Sequence, residues 1–178
     1  MKVSEIMSTE PAWCTAEAAV QEVARLMAEH DCGAIPVLDG DTTRKPVGVI
    51  TDRDIVVRLL AEGRDPMHSA VTDAMTPAPV TVDPATDVED AARTLLKSKL
   101  RRAVVVSPDG ACIGMLALAD LAAALPNRQS ANVLKQVSSQ RRGATQTATP
   151  APSEAALDKG LTETFPASDP VSVQATRE

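Results

Sequence analysis

The sequence predicts an α/β (α+β) fold made of two copies of one β-α-β-β-α unit, followed by a flexible C-terminal tail. Three observations carry that reading. First, a short apolar run ends in a polar shelf where a helix pattern begins, Gly48-Val49-Ile50-Thr51-Asp52-Arg53-Asp54. The device returns as Gly114-Met115-Leu116-Ala117-Leu118-Ala119-Asp120. Second, the likeness spreads outward at a fixed spacing, the mark of an internal repeat. Val3-Ser4-Glu5-Ile6-Met7 matches Val71-Thr72-Asp73-Ala74-Met75 at an offset of 68, as Pro11 matches Pro79, Val20 Val88, Ala24-Arg25 Ala92-Arg93, and Val37 Val105. From Gly48 and Gly114 onward the offset is 66, so the second copy lacks two residues in a turn, where length changes cost little. Third, the composition changes beyond Leu125, and residues 138–152 are all Ser, Gln, Thr, Ala, Pro, Gly or Arg.

The elements of each copy follow from pattern. A lead-in (residues 3–7 or 71–75) precedes a short strand, Ala12-Trp13-Cys14 or Val80-Thr81-Val82. A helix follows. Val20, Val23, Ala24 and Met27 share one face in the first copy, and Val88, Ala92, Leu95 and Leu96 in the second. Thr86-Asp87-Val88-Glu89 reads as a capping box at the second of these helices. The central strands are Ala34-Ile35-Pro36-Val37-Leu38 and Arg102-Ala103-Val104-Val105-Val106, closed by Asp39-Gly40-Asp41 and Pro108-Asp109-Gly110 turns. A third strand covers residues 47–50 or 112–116. A last helix covers residues 52–60 or 119–125; in the first copy Ile55, Val56, Leu59 and Leu60 fall on one face.

The strands alternate little, which suits sheets covered on both faces. One copy alone would bury a poor fraction of its surface, so two packed sheet against sheet make one core. The predicted divisions are residues 1–62 for the first repeat, 63–70 for a linker, 71–125 for the second repeat and 126–178 for the tail. Within the tail, residues 131–137 read as one or two helical turns and 138–152 as a flexible linker. The one Phe, Phe165, lies in a short segment near the end that cannot bury a core alone.

Composition narrows the function. Of 178 residues 44% are hydrophobic, but aromatics are one Trp, one Phe and no Tyr, so the core is Val, Ile, Leu, Ala and Met. A net charge of −6 argues against a general binder of nucleic acid or anionic membrane. Cys14, Cys32 and Cys112 show no CxxC spacing and their odd number builds no disulfide framework, so they read as buried thiols in a reducing cytosol. MKVSEIMSTE lacks the apolar stretch of a signal peptide, and no run reaches membrane-spanning length. The expectation is a soluble cytoplasmic protein. No Ser/His/Asp or Cys/His set, glycine-rich phosphate loop or metal-ligand cluster stands out, so an enzyme is not expected, and His30 and His68 lie apart in the pattern.

Two β-α-β-β-α copies on the pattern of a D/E-h-M start, a central x-x-h-P-V strand and a final G-x-h-T-x-x-D resemble a tandem pair of CBS domains, a Bateman module. The likeness covers about residues 1–125, and Gly48-Val49-Ile50-Thr51-Asp52-Arg53-Asp54-Ile55 is similar to the family's signature. The segment Glu163-Thr164-Phe165-Pro166-Ala167-Ser168-Asp169-Pro170 is similar to a C-terminal stretch of small bacterial proteins and implies no activity. The resemblance implies repeats related by a pseudo-two-fold axis and two clefts between them. It implies candidate ligands AMP, ADP, ATP or S-adenosylmethionine, pairing of two modules into a homodimer, and a regulatory role without chemistry or a required cofactor.

Carried over residue by residue, the resemblance implies two unlike clefts. One combines Thr51 and Asp54 with Val80, Thr81, Arg101, Arg102 and Ala103. There Asp54 would accept from ribose hydroxyls, Thr51 and the amides of residues 52–54 would donate to phosphate, Arg101 or Arg102 would neutralise it, and Val80 and Ala103 would line the base. The other combines Asp120 with Ala12, Trp13, Gly33, Ala34 and Ile35. Its Thr has become Ala117 and its Arg pair Gly33 and Ala34, so a neutral adenosine ligand, or none, fits it. Against both stand bland readings. Thr51 and Asp54 also make an ordinary helix cap, Arg101 and Arg102 a solvated strand edge, and Trp13 a core residue. The functional expectation is a sensor that binds an adenine nucleotide between the repeats and signals to a protein partner. The alternative is a dimerising scaffold that holds its partner through the tail and binds no ligand.

Overall fold

The computed structural model describes residues 1–125, so the helical turns, linker and Phe165 segment expected beyond them lie outside the described residues. The first repeat contains β1 (Ser8–Thr9), β2 (Cys14–Thr15), α1 (Val20–Glu29), β3 (Ala34–Leu38), β4 (Pro46–Thr51) and α2 (Asp52–Arg58). The second contains β5 (Thr76–Pro77), β6 (Thr81–Val82), α3 (Val88–Lys97), β7 (Arg102–Val106), β8 (Cys112–Ala117) and α4 (Leu118–Ala124). The β-α-β-β-α order is present twice, with one strand added ahead of each copy.

Those added strands, β1 and β5, change the connectivity. Each leaves its own repeat and pairs with the other. The sheets run β2-β3-β4-β5 and β1-β8-β7-β6. Thr9 lies opposite Gly114 on β8, and Pro77 opposite Gly48 on β4, both antiparallel. The lead-ins follow. The Val3 and Ser4 amides donate to Thr86 and Pro84 carbonyls, while Val71 and Thr72 amides donate to Ala18 and Ala16 carbonyls, the same bonds one repeat apart. Val3 is buried in the core of the second repeat with Val88, Leu95 and Leu116, and Val71 in that of the first with Val20, Val23 and Ile50. A fully buried valine contributes roughly 1.5–3 kcal/mol.

The crossing explains the glycine in each closing strand. A Cβ on Gly114 would stand 2.9 Å from the Ser8 carbonyl and 2.8 Å from the Met7 sulfur. A Cβ on Gly48 would stand 3.1 Å from the Thr76 carbonyl and 2.9 Å from the Met75 sulfur. A third cluster, Ala34, Leu38, Val104, Cys112 and Met115 with Trp13 beside it, fills the space between the sheets, as expected of packing sheet on sheet.

Several local expectations are corrected. The first strands are shorter than read, because Ala12, Trp13 and Val80 precede the ladder. The capping box at Thr86 does not form. Asp87 occupies the cap position, its carboxylate pairs with Lys2 at 3.0 Å, and the Val88 amide donates to the Met1 carbonyl. The Thr86 amide, which the box would have bonded to Glu89, instead donates to the Asp83 carbonyl, and the exchanged lead-in contacts the helix start at Asp87 and Val88. On α2 only Ile55 and Leu59 face the core, while Val56 and Leu60 are exposed with Val57. The deleted pair of residues does lie in a turn, between β7 and β8. Cys14, Cys32 and Cys112 are free, and burial pushes the Cys14 thiol up to about 12. Among the described residues no helix is long and apolar enough to cross a membrane.

Two outcomes follow. Gly114→Ala forces a backbone carbonyl to shift and should destabilise by about 1–3 kcal/mol, seen as a Tm several degrees lower. Acid should loosen the lead-ins. Hydrogen bonds from Arg64 and the Ala70 amide hold the Asp73 carboxyl below its ordinary value, and Lys2 does the same for Asp87. A depressed carboxyl contributes its stability above the ordinary range, about pH 4, and loses it as pH falls through the folded value. Tm should hold from pH 7 to 5 and fall below about 4, less steeply in Asp73→Asn.

Candidate functional site

The shelf at Thr51 is a complete capping box. Thr51 ends β4 with extended backbone and caps α2. Its hydroxyl accepts from the Asp54 amide at 3.1 Å and donates to Asp54 Oδ2 at 2.7 Å, and that oxygen also accepts from the Thr51 amide at 3.0 Å. Asp54 Oδ1 faces Arg58 at 3.4 Å. Arg58 in turn donates to the Ala74 and Met75 carbonyls, 2.7 Å each, and to the Thr76 hydroxyl at 2.9 Å. The site is thereby tied to the lead-in that arrives from the second repeat. Sequence reading passed over Arg58, although its i,i+4 spacing from Asp54 was there to be used.

The expectation that the helix-start amides would hold phosphate is corrected. The Asp52 amide donates to the Gly33 carbonyl at 3.3 Å, the Arg53 amide to the Asp52 side chain at 2.6 Å, and the Asp54 amide to Thr51. All three are already used.

A cavity of about 330 Å³ opens beside the shelf, between the repeats. Val49 and the residues from Thr51 to Asp54 form one wall; Thr76, Ala78, Pro79, Val80, Lys99, Leu100, Arg101 and Arg102 form the other. Thr51, Asp54, Val80, Arg101 and Arg102 are thus brought together as expected. Thr81 is exposed and outside the lining, and Ala103, the next residue along β7 from Arg102, turns into the core of the second repeat. Four cations, Arg53, Lys99, Arg101 and Arg102, stand against Asp52 and Asp54. Such a wall favours an anion.

A second cavity of about 370 Å³ lies across the pseudo-two-fold relation. Ala12, Gly33, Ala34 and Asp120 line it, with Ser8, Glu10, Pro11, Asp31, Cys32, Met115 and Ala117 among their neighbours. Each of these residues is the repeat counterpart of one in the first cavity. Trp13 and Ile35 are elsewhere: Trp13 packs between the sheets with the Arg44 guanidinium 6.0 Å from its ring centre, and Ile35 is buried in the first repeat's core. Asp120 Oδ2 accepts from the Ala117 amide at 2.9 Å, but Ala117 offers no hydroxyl in return. Arg102 lines this cavity as well as the first.

The CBS-domain family model matches residues 3–61 and 71–127. The chain belongs to the CBS-domain family. It is 33% identical over 139 residues to the CBS domain-containing protein YhcV of Bacillus subtilis, spanning 78% of this chain and 96% of that one. Among solved structures it is similar to CBSX2 of Arabidopsis thaliana in complex with AMP, at 30% identity and a TM-score of 0.58, covering 69% and 94% of the two chains. It is also similar to PAE2072 of Pyrobaculum aerophilum complexed with AMP, at 25% identity and a TM-score of 0.63, covering 76% and 99%.

Within this CBS pair, four lining positions separate the clefts by charge. Lys99 answers to Asp31, Arg101 to Gly33, Arg102 to Ala34 and Ala78 to Glu10. Lys99 and Asp31 both sit just past a helix in left-handed backbone, φ 56° and 46°. Sequence reading missed both, though the offset that paired the arginines with Gly33 and Ala34 also pairs these.

Proposed function

We propose that this CBS pair is a regulatory sensor that binds an adenine nucleotide of the AMP, ADP or ATP type in the cleft of Thr51 and Asp54 and signals its occupancy to a protein partner in the cytoplasm. One observation carries the reading. A single cavity joins a carboxylate on one repeat to three cations, Lys99, Arg101 and Arg102, on the other. The AMP complexes of two similar CBS pairs support the ligand class. Asp54 Oδ1, with only Arg58 beside it, is the acceptor for a ribose hydroxyl; Oδ2 is committed to the cap. Guanidiniums, not helix amides, neutralise the phosphate. Because the walls belong to different repeats, a ligand that binds one arrangement more tightly shifts the equilibrium toward it by that difference in affinity. S-adenosylmethionine, which has no phosphate, makes less use of these cations. The module performs no chemistry of its own and requires no cofactor.

The deciding experiment is thermal unfolding with AMP, ADP, ATP and S-adenosylmethionine, followed by calorimetric titration. A ligand at a hundred times its dissociation constant should raise stability by about 2.7 kcal/mol. Asp54→Ala should weaken binding about tenfold to a hundredfold, the range for a hydrogen bond to a charged group. Because the cap goes too, each variant's shift is read against its own unliganded Tm. No shift with any nucleotide would sink the proposal.

The homodimer belongs to the same proposal. Val56, Val57 and Leu60 on and beside α2 are 53%, 44% and 55% exposed, an apolar face that a second copy would cover. Val56→Glu should convert a dimer to a monomer in sedimentation velocity; a wild-type protein that sediments as a monomer at all concentrations would refute the pairing.

A further inference from the structure

The second cavity carries Glu10, Asp31 and Asp120 with the imidazole of His30, and among the described residues lining it the one permanently charged cation is Arg102. That group comes from β7 of the second repeat and also lines the first cavity. Its Nη2 would stand 3.5 Å from a Cβ placed on Gly33, a residue of the second cavity, and the same Cβ would stand 3.1 Å from Asp52 of the first. Arg102 thus sits at the seam where the two clefts meet. Its repeat counterpart, Ala34, has no charge to offer, so the pair has one guanidinium at the seam where symmetry would provide two.

We propose that Arg102 is shared, and that the clefts exclude one another for phosphate-bearing ligands. A phosphate in the second cavity faces three carboxylates and needs Arg102 to offset them. In the first cavity Arg53, Lys99 and Arg101 stand beside the same Arg102, so phosphate binds there first and holds the guanidinium. The second cavity is then left with three carboxylates against the single imidazole of His30, and takes only a nucleoside without phosphate. The chain therefore binds one nucleoside monophosphate but two unphosphorylated nucleosides. This rests on the nucleotide reading above and goes beyond it.

The test is titration of the full chain with AMP and with adenosine, by calorimetry and by ligand-observed NMR at millimolar concentration, in wild type and Arg102→Ala. The expected result is one AMP per chain, two adenosines per chain, and an AMP-to-adenosine affinity ratio at least tenfold lower in the variant. Arg102 is exposed at the start of its strand, so the substitution spares the core. Two AMP per chain at comparable affinity, a single adenosine per chain, or an unchanged ratio in Arg102→Ala would each overturn the sharing while leaving a nucleotide site intact. Binding of neither ligand would overturn the nucleotide reading itself.

Discussion

The structure depends on one constraint: neither repeat closes its own core. Each sends its lead-in across to the other, where Val3 or Val71 is fully buried and β1 or β5 becomes an edge strand of the foreign sheet. The backbone of that segment passes so near the closing strand that a Cβ at 114 would force the Ser8 carbonyl to move and one at 48 would press on the Thr76 carbonyl. Two small units, each burying a poor fraction of its surface alone, thereby share their cores. The exchange also places chain from one repeat beside the polar shelf of the other. The clefts exist because of it.

Function inherits this arrangement through Arg58. Its guanidinium spans Asp54 on one side and the carbonyls of Ala74 and Met75 on the other, so the carboxylate proposed as ribose acceptor and the exchanged lead-in share a partner. A hydroxyl that draws on Asp54 Oδ1 competes with an arginine holding the seam between repeats. The second shelf lacks this link, because the residue four beyond Asp120 is Ala124. The difference lies in electrostatics, since both shelves keep the return bond from carboxylate to strand-end amide.

The repeat, its elements and their order were legible because periodicity and offset report what packing requires of each position. Pairing across repeats was not. β1 and β5 are two residues long, Ser8–Thr9 and Thr76–Pro77, and carry no apolar alternation; their partners are chosen by sterics at Gly48 and Gly114 far along the chain. The capping box at Thr86 failed for the same reason, since Met1 and Lys2 arrive from the other repeat to satisfy that helix start. In the site, residue types were legible but directions were not. Arg102 and Ala103 are neighbours on one strand, and the period of two sends one to the clefts and the other to the core. Whether helix-start amides are free is likewise a tertiary fact: the Gly33 carbonyl that occupies the Asp52 amide comes from the end of another strand-helix connection.

A duplicated fold starts with two equal clefts, and equality costs little to keep where positions serve packing. Val20 and Val88, Val37 and Val105, Gly48 and Gly114 are all retained. The positions that differ in charge, Lys99 against Asp31, Arg101 against Gly33 and Arg102 against Ala34, line the cavities, and of these only Ala34 also belongs to a buried cluster. Two adjacent cationic clefts would set like charges against each other across a shared seam, a repulsion that solvent only partly screens at the exposed Lys99, Arg101 and Arg102. Gathering most of the cations in the first cavity, beside Asp52 and Asp54, and the carboxylates of Glu10, Asp31 and Asp120 in the second limits that repulsion and lets opposite charges meet at the seam, a junction that Arg102 reaches from both sides. Asp52 and Arg102, both beside Gly33, mark that junction. Charge separation between the clefts thus keeps both shelves of the duplicated fold without setting like charges against each other across the seam.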